Sequence, residues 1–546
     1  MFARIKKSGK NEYLQIVENY RENKKSKQRV IATLGRLATM QDKGEIERLI
    51  RSFSRFSRKS VLLLSHQSNL RTQIKKIGPV LIFDRLWQET GIASILKNQL
   101  SERKFEFDVE RAVFITVLHR LMSCGSDRNC DYWRRDYKLP GTEELSLHHF
   151  YRAMCFLGEE VSDQSKASPF TSRRLKDIIE EELFFSRRDL FSSLEMVFFD
   201  TTSIYFEGEG GETLGRNGHS KDHRPDLKQM IIGVLMDNTG TPLCCEMWPG
   251  NIADVTTLIP ITESVRNRFG VDHFCIVADR GMISNESIQQ LESSENTIRY
   301  ILGVRMRQVN EVKKEVLSRK GRYKEVYPES KDQKEPSPLK VKEVRHNGKR
   351  YIVCLNMKQA RKDQHDRENI LASLQDKLRN GAGSLIGNKG YRKYLKIARK
   401  SISINFEKVR YEERFDGKWV LQTNTDLSSE EVALRYKELW MVENIFRKMK
   451  SLLETRPVYH RIDEAICGHV FCSFLALVLL KELNRRLESA CFHFEWEQIK
   501  QDLKSLQEIR IEENGITFAV RSECQGTCSS VFKAVGVAIP STIKEL

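Results

Sequence analysis

The chain has 546 residues, of which 40% are hydrophobic and 30% are charged. This composition is typical of a soluble globular protein and excludes a disordered or a collagen-like chain. Lysine and arginine number 91 against 74 aspartates and glutamates, which gives a net charge of +17. Such an excess makes nucleic acid the first partner to consider, because phosphate contacts come mainly from lysine and arginine. A basic surface that serves only solubility is the alternative.

Targeting and membrane signals are missing from the sequence pattern. The basic N-terminal residues 1–15 contain no apolar stretch of the kind found in a signal peptide. The longest apolar run, Ala465–Leu480, is shorter than the roughly 20 residues that a membrane span needs, and therefore predicts a buried helix. The 12 cysteines are scattered, as in a reduced protein. We therefore expect a cytoplasmic protein without a membrane partner.

Residues 1–70 predict a small basic domain that contacts DNA. Phe2–Lys6, Tyr13–Tyr20 and Gln28–Leu34 have the composition of strands, and lysines crowd the turns between them. Glu45–Lys59 is predicted to be a helix with a basic stripe, for which a solvated helix face is the alternative interpretation. The stripe consists of Arg51, Arg55, Arg58 and Lys59.

Residues 71–190 predict an all-α accessory domain. Asp108 is expected to cap a helix, because apolar residues recur after it with a period near 3.6. Ser172–Phe185 is a second helix candidate. This segment contains no recognisable chemical motif, so we expect it to support the remainder of the chain.

Residues 191–304 change to an α/β pattern. Five strands and two helices, which begin at Asp254 and Ser284, are expected in the order β-β-β-α-β-α-β. Asp200 and Asp279 each follow directly after an apolar strand. The predicted strands are Met196–Phe199, Gln229–Met236, Thr241–Met247, Phe274–Ala278 and Ile298–Val304.

Residues 305–425 interrupt this pattern as a β-rich insertion. Asn347-Gly348 predicts one hairpin turn. Asp416-Gly417 predicts another, between strands at Val409–Glu413 and Lys418–Thr423. The α/β domain is expected to resume over 426–490 and to be followed by a small mixed tail, 491–546.

Residues 426–490 begin with a long predicted helix. Ser428 and Glu431 form a capping box, and the helix is expected to run to Leu453. At 100° per residue, one face of this helix carries four polar residues. A face exposed only to solvent is the alternative. The four residues are Tyr436, Glu443, Arg447 and Lys450.

Asp200 and Asp279 are candidate metal ligands. Strand C-termini in α/β sheets open into the ligand-binding crevice, so the two carboxylates converge there if their strands are neighbours. Two like charges held close together need a cation between them, and oxygen ligands favour Mg²⁺ or Mn²⁺. Two aspartates that only cap helices or lie in loops are the alternative.

The trio Asp200, Asp279 and Glu443 resembles the DDE triad of bacterial insertion-sequence transposases, most closely those of the IS-four superfamily. The signature of that family is Y-x-x-R-x-x-x-E-x-x-x-x-x-x-K. Tyr436, Glu443 and Lys450 match it, whereas Leu439 replaces the arginine. The resemblance covers most of the chain and is strongest over 195–304 and 415–480. Further similar stretches are Asp200–Ser203, Gly218–Gln229, Trp248–Asn251, Ala278–Gly281 and Arg456–His460.

The resemblance implies an α/β fold with a ribonuclease-H-like core, interrupted by the β-rich insertion and preceded by the β arm and the helical domain. It implies a DNA transposase in which Asp200, Asp279 and Glu443 bind two Mg²⁺ or Mn²⁺ ions for cleavage at the element ends and for strand transfer. The DNA partners would be the terminal inverted repeats and the target, bound by a homodimer on paired ends. A nuclease without strand transfer and an inactive DNA-binding descendant remain the alternatives.

The resemblance also suggests residues that contact DNA. Tyr436, Arg447 and Lys450 would position phosphates. Trp419 matches a strand whose tryptophan stacks on a flipped base, with simple packing in the sheet as the alternative. The pair His219 and His223 could suggest a zinc site, but the loop that carries it is expected to contact DNA or solvent instead. Its candidate residues are His219 and Lys221.

Overall fold

The computed structural model describes residues 1–22, 25–54, 71–187, 194–293, 298–327, 338–380, 392–398, 401–513 and 516–546. The chain forms two compact units. The smaller unit consists of Met1–Lys76, Ser505–Gln525 and Ile539–Leu546, and the larger unit consists of Ile77–Lys504 and Gly526–Ala538.

The strands and helices are numbered in chain order. The strands are β1 (Phe2–Ser8), β2 (Asn11–Glu22), β3 (Lys25–Arg36), β4 (Arg71–Lys76), β5 (Met196–Tyr205), β6 (Gln229–Asp237), β7 (Pro242–Pro249), β8 (Cys275–Ala278), β9 (Arg299–Val304), β10 (Lys324–Val326), β11 (Leu339–His346), β12 (Lys349–Asn356), β13 (Leu395–Ala398), β14 (Ser401–Ile404), β15 (Lys418–Thr423), β16 (Gln507–Glu513), β17 (Ile516–Arg521) and β18 (Ile543–Glu545). The helices are α1 (Leu37–Asp42), α2 (Glu45–Ser54), α3 (Gly78–Glu89), α4 (Ile92–Leu100), α5 (Val109–Met122), α6 (Asp127–Trp133), α7 (Leu147–Gly158), α8 (Leu175–Arg187), α9 (Leu258–Phe269), α10 (Asn285–Ser293), α11 (Met357–Asn380), α12 (Phe406–Glu413), α13 (Ser429–Lys437), α14 (Trp440–Arg447), α15 (Asp463–Ser489), α16 (Trp496–Ser505) and α17 (Cys528–Val535).

A nine-stranded sheet, in the order β10-β11-β12-β15-β9-β8-β5-β6-β7, forms the centre of the larger unit. Strands β5, β8 and β9 run parallel to one another, whereas β5, β6 and β7 pair antiparallel. Phe199, Val265 and Ile276 share one buried cluster, through which α9 packs on the sheet. The predicted element order is confirmed, and the α/β core is ribonuclease-H-like as expected.

The insertion after β9 extends this sheet instead of forming a separate one. Strand β15 pairs with β9 at Val420 and Val304, and β12 and β11 follow outwards. The predicted turn at Asn347-Gly348 is confirmed, since both residues have the positive φ of a two-residue hairpin turn, 48° and 73°. The 24-residue helix α11 gives the insertion a mixed α and β content.

Val409–Glu413, predicted as a strand, lies instead in α12. The side chain of Asn405 accepts a hydrogen bond from the backbone N–H of Lys408 and so caps this helix at its start. Val409 and Glu412, three residues apart, are its buried residues, as expected for one helix face. The prediction was wrong because the segment is too short for its periodicity to separate helix from strand.

The helices between Ile77 and Arg187 belong to the larger unit and do not form a separate domain. Helix α8 is bound to the sheet through Arg268 of α9, whose guanidinium donates to Glu180, Glu181 and Glu246 at 2.6, 3.0 and 2.8 Å. All of these side chains are buried. Removing one partner would leave a buried charge unpaired, so this network fixes the helices to the sheet.

Helix α15 is the central helix of the larger unit. Its length and composition would suit a membrane span, and 89% of its most apolar window is buried inside the protein. It crosses α7 closely at Gly468, where an added Cβ atom would lie only 2.0 Å from the carbonyl oxygen of Met154. The buried helix predicted at the apolar run Ala465–Leu480 is therefore confirmed.

The smaller unit contains the predicted N-terminal strands. Strands β1, β2 and β3 form one antiparallel sheet. A second sheet, in the order β18-β17-β16-β4, joins β4 to the C-terminal strands. The tail 491–546, predicted as one segment, is therefore divided between the two units. Helix α2 is described as far as Ser54, and the remainder of the predicted helix Glu45–Lys59 lies outside the described residues.

Candidate active site

Two neighbouring parallel strands position Asp200 and Asp279 side by side. Phe199 of β5 is paired with Ala278 of β8, so the two aspartates are the next residues on adjacent strands. Asp279 follows the end of β8, as predicted. Asp200 was predicted to follow the end of its strand and instead lies inside β5, where it is paired with Val234. The reason is that the antiparallel partner β6 continues beyond the point where β8 ends.

The predicted helix to Leu453 is interrupted, once before Glu443 and once after it. The backbone N–H of Leu439 donates to the carbonyl oxygen of Tyr436, and the N–H of Val442 donates to the carbonyl oxygen of Leu439. These two hydrogen bonds, each spanning three residues, form tight turns where α13 meets α14. The buried side chain of Leu439 lies at this break. A π-helical segment, Lys448–Leu452, follows α14. Of the four polar residues predicted on one face, Tyr436 and Glu443 line the cleft described below, whereas Arg447 and Lys450 bond to Asn444 and Asp222.

Asp200, Asp279 and Glu443 line a common cleft with an empty volume of about 600 Å³ that is open to solvent. Three chain segments therefore bring together the three acids that the sequence singled out. The other lining residues are Trp419, Tyr436, Lys437, Leu439 and Trp440.

The electrostatics of Asp200 suit a bound cation. The pKa of its carboxyl is raised to about 6, with burial as the largest cause. Lys221 and the backbone N–H of Thr201 oppose this increase in pKa, and the charges of Asp279 and Asp254 contribute to it. That N–H donates to Asp200 Oδ1 at 2.7 Å. Clustered carboxylate oxygens that repel one another fit a divalent metal, which would supply the missing positive charge.

Tyr436 is fixed against the second acid. Its hydroxyl donates to Asp279 Oδ1 at 2.8 Å, and burial together with the charge of Asp279 raises the pKa of the phenol well above its usual value. Gly303 on β9 makes this position possible, because a Cβ atom there would lie 2.2 Å from the Tyr436 hydroxyl. Gly303 was not predicted from the sequence, since its role depends on a contact between distant segments.

Two aromatic residues and one lysine complete the cleft. Trp419 lies in β15, opposite Cys354, and its Nε1 has no hydrogen-bond partner among the described residues. Trp440 is 56% exposed. Lys437 has no hydrogen bond or ion pair within the described part of the chain, and desolvation lowers the pKa of its ammonium. Lys437 and Trp440 were not predicted as site residues, although both lie inside the recognised signature.

The remaining predicted DNA contacts do not line the cleft. Arg447 is exposed and donates to Asn444 Oδ1 at 2.8 Å, and His219 is exposed. Lys450 donates to Asp222 Oδ1 at 2.8 Å. Lys221 bonds to Thr201 and pairs with Asp254. Both lysines are therefore engaged by the protein itself.

A second group of possible metal ligands, Asp127, His460 and His469, lies away from the cleft residues. The guanidinium of Arg120 is 3.0 Å from His469 Nδ1, and burial together with this charge holds the pKa of the imidazole well below its usual value. His460 lies 3.3 Å from Asp127 Oδ2. A buried arginine in direct contact opposes a cation here, so we interpret the group as a hydrogen-bond network inside the fold.

Comparison with known proteins gives two family matches. Residues 192–479, more than half of the chain, match the family described as the transposase DDE domain. Residues 3–67 match the N-terminal domain of IS1634 family transposases. No curated protein matches the chain. Among solved structures, the cryo-EM structure of the piggyBac transposase synaptic complex with hairpin DNA aligns over 78% of this chain and 79% of that chain, at 11% identity and a TM-score of 0.41.

Proposed function

The chain belongs to the insertion-sequence DDE transposases, and we propose that Asp200, Asp279 and Glu443 are its catalytic carboxylates. The observation that carries this assignment is their convergence on one cleft from β5, the end of β8 and α14. Use of a divalent metal follows from the family, and the oxygen-only donor set favours Mg²⁺ or Mn²⁺. Placement within the IS-four superfamily stays a prediction.

The metal ions, when bound, would activate the attacking hydroxyl and stabilise the leaving 3′-oxygen. The protein itself holds the carboxylates in fixed orientations. The Thr201 N–H orients Asp200, and the Tyr436 hydroxyl orients Asp279. Both aspartates are held on neighbouring strands, and the more exposed Glu443 of α14 lines the same cleft and completes the set.

Lys437 replaces the signature arginine as the phosphate contact in the cleft. Leu439, at the arginine position, is 7% exposed and apolar, whereas Lys437 lines the same cleft and has no partner among the residues described. An unpaired ammonium beside three acids can bind a phosphate once metal ions have neutralised the carboxylates. Trp419, which lines the same cleft, would stack on an unpaired base.

DNA binding follows from the family, and we propose which DNA the protein binds and how it assembles. The DNA would be the terminal inverted repeats of the element and its target site, and synapsis of two ends would suit a homodimer. All 12 cysteines lie in the described residues and are free thiols, which supports a reducing, cytoplasmic location.

A cleavage and joining assay tests the assignment. The protein is incubated with Mg²⁺ and DNA that carries the inverted repeats flanking its own gene, and nicked and joined products are measured separately. Asp200→Ala, Asp279→Ala and Glu443→Ala should each abolish both products and leave binding to the ends largely intact, because each change removes a metal ligand but no phosphate contact. Normal cleavage by any one variant would remove that residue from the site. Nicking without joining in the wild type would indicate a nuclease.

A further inference from the structure

The loop Gly218–Asp226 connects two parts of the catalytic site. It leaves β5 and returns to β6, and two adjacent residues of opposite charge, Lys221 and Asp222, lie in it. The backbone N–H of Lys221 donates to the buried Ser203 Oγ at 2.8 Å, which fixes the loop on β5. The two side chains then bond to different segments.

Lys221 is bound beside the first acid. Its ammonium donates to the carbonyl and hydroxyl oxygens of Thr201 at 2.8 and 2.7 Å and lies 3.0 Å from Asp254 Oδ2. The Thr201 hydroxyl donates to Asp254 Oδ1 at 2.7 Å, while the Thr201 N–H holds Asp200. Lys221 therefore fixes the residue that orients the carboxylate of Asp200.

Asp222 is bound to the segment that follows the third acid. Its Oδ1 accepts a hydrogen bond from Lys450 at 2.8 Å and forms an ion pair with Arg456. Lys450 lies in the π-helical segment directly after α14, the helix that carries Glu443. The Asp222 side chain is only 6% exposed, so the ion pairs are shielded from solvent. Loss of the carboxylate would leave two partly buried cations without their partner.

We infer that Lys221 and Asp222 are positioning residues that couple the strand of Asp200 to the helix of Glu443. The inference rests on the proposed function, because it assigns Lys221 and Lys450 an indirect role in the same site. Since Lys221 and Asp222 are neighbours in the chain, a shift of either ion pair moves the other. The contacts of Lys221 and Asp222 keep Asp200 and Glu443 at a fixed separation, which is needed if the two carboxylates are to bind the same metal ions.

The first test is the metal dependence of cleavage by Asp222→Asn in the full chain. Displaced carboxylates bind shared ions less well, so the Mg²⁺ concentration for half-maximal cleavage should rise about tenfold, with end binding unchanged. Mn²⁺ should recover part of the rate. The double variant Asp222→Asn/Lys450→Gln should lose no more than the more impaired single variant, because the two residues act as one unit.

Asp226→Asn is the matched control. Asp226 lies in the same loop, is exposed, and pairs with Arg224. It should leave the metal dependence unchanged. If Asp222→Asn does not fold, Asp254→Asn provides the second variant, since it removes the ionic partner of Lys221 at a more exposed position and should raise the Mg²⁺ requirement in the same way.

Two results would overturn the inference. One is wild-type metal dependence in folded Asp222→Asn or, where that variant does not fold, in Asp254→Asn. The other is tighter DNA binding by Asp222→Asn with undiminished cleavage, which would mean that Asp222 only occupies a phosphate site. Either result leaves the proposed function intact if Asp200→Ala and Glu443→Ala are inactive, whereas activity in those two variants would refute the proposed function itself.

Discussion

The surroundings of Asp200 oppose the ionisation of its carboxyl group. The pKa of this carboxyl is about 6 in the folded protein, compared with 3.8 for an ordinary aspartate, and burial is the largest cause of the increase. Between these two values the folded protein binds a proton more tightly than the unfolded chain does. The free energy of unfolding therefore falls as pH rises through this window. Above pH 6 the ionised carboxylate destabilises the folded protein to its full extent.

Asp200→Asn should therefore stabilise the metal-free protein at high pH. In the presence of a chelator at pH 8, we expect a gain of about 1–3 kcal/mol in the free energy of unfolding of the larger unit, decreasing toward pH 4. Thermal unfolding at several pH values measures this change. Excess Mg²⁺ should reverse the order, because the wild type alone retains all three ligands. A gain independent of pH would contradict the explanation, and the exposed Asp226→Asn serves as the control.

Gly303 is a second position where one atom decides the geometry of the site. Gly303→Ala places a methyl group 2.2 Å from the Tyr436 hydroxyl, on a backbone held by pairing with β15, so the ring must move away from Asp279. We expect cleavage to slow at least tenfold, on the order of the cost of a small misplacement. Adding Tyr436→Phe to Gly303→Ala removes the clashing oxygen and should restore thermal stability without restoring cleavage. Wild-type cleavage by Gly303→Ala would contradict this role.

At the level of elements, β15 brings a residue of the insertion to the cleft that Asp200, Asp279 and Glu443 line. Its pairing with β9 places Trp419 beside the acids. If Trp419 stacks on a flipped base, the element end can bend and the freed 3′-hydroxyl can attack the opposite strand to form a hairpin. Flipping costs a few kcal/mol, and stacking returns about 1–3 kcal/mol. Trp419→Ala should therefore impair hairpin formation more than first-strand nicking, as measured by resolving the two products on denaturing gels.

The control for this prediction is Trp419→Phe, which keeps an aromatic face and should retain most hairpin formation. Folding must be measured in parallel, because a buried Trp→Ala change costs about 3–5 kcal/mol. Equal loss of nicking and hairpin formation in a folded protein would indicate general damage. Normal rates of both would leave Trp419 as a packing residue.

Local chemistry explains which elements were predictable. The capping box of Ser428 and Glu431 is present as expected, since both hydrogen bonds lie within four residues of sequence. The break at Leu439 was not predictable from periodicity, because burial of this side chain against distant segments decides it. Tertiary contacts likewise engage Lys221 and Lys450 in ion pairs with Asp254 and Asp222, although the positions of the two lysines in the motifs suggested phosphate contacts.

At the level of the whole molecule, the convergence of the three acids on one cleft could be predicted better than the division into units. Asp200, Asp279 and Glu443 were recognisable because each belongs to a local motif. The pairing of β4 with β16 joins segments more than 400 residues apart and leaves no local signal in either strand. For the same reason, the helices after Ile77 resemble an independent domain in sequence, whereas buried ion pairs bind them to the core sheet.

The smaller unit supplies the last prediction, which concerns recognition of DNA. The three N-terminal strands present exposed lysines, including Lys6 of β1 and Lys10 of the following turn. If both bind phosphates, Lys6→Gln/Lys10→Gln should weaken binding and make the slope of log affinity against log salt shallower by about 0.9 for each phosphate that is no longer neutralised. Titration of end DNA at several salt concentrations measures the slope. Lys97→Gln/Lys104→Gln removes the same charge from exposed lysines of the larger unit and should change the slope less. Equal effects of the two pairs would show that only net charge matters, and an unchanged slope in the first pair would remove the N-terminal strands from the DNA-binding surface.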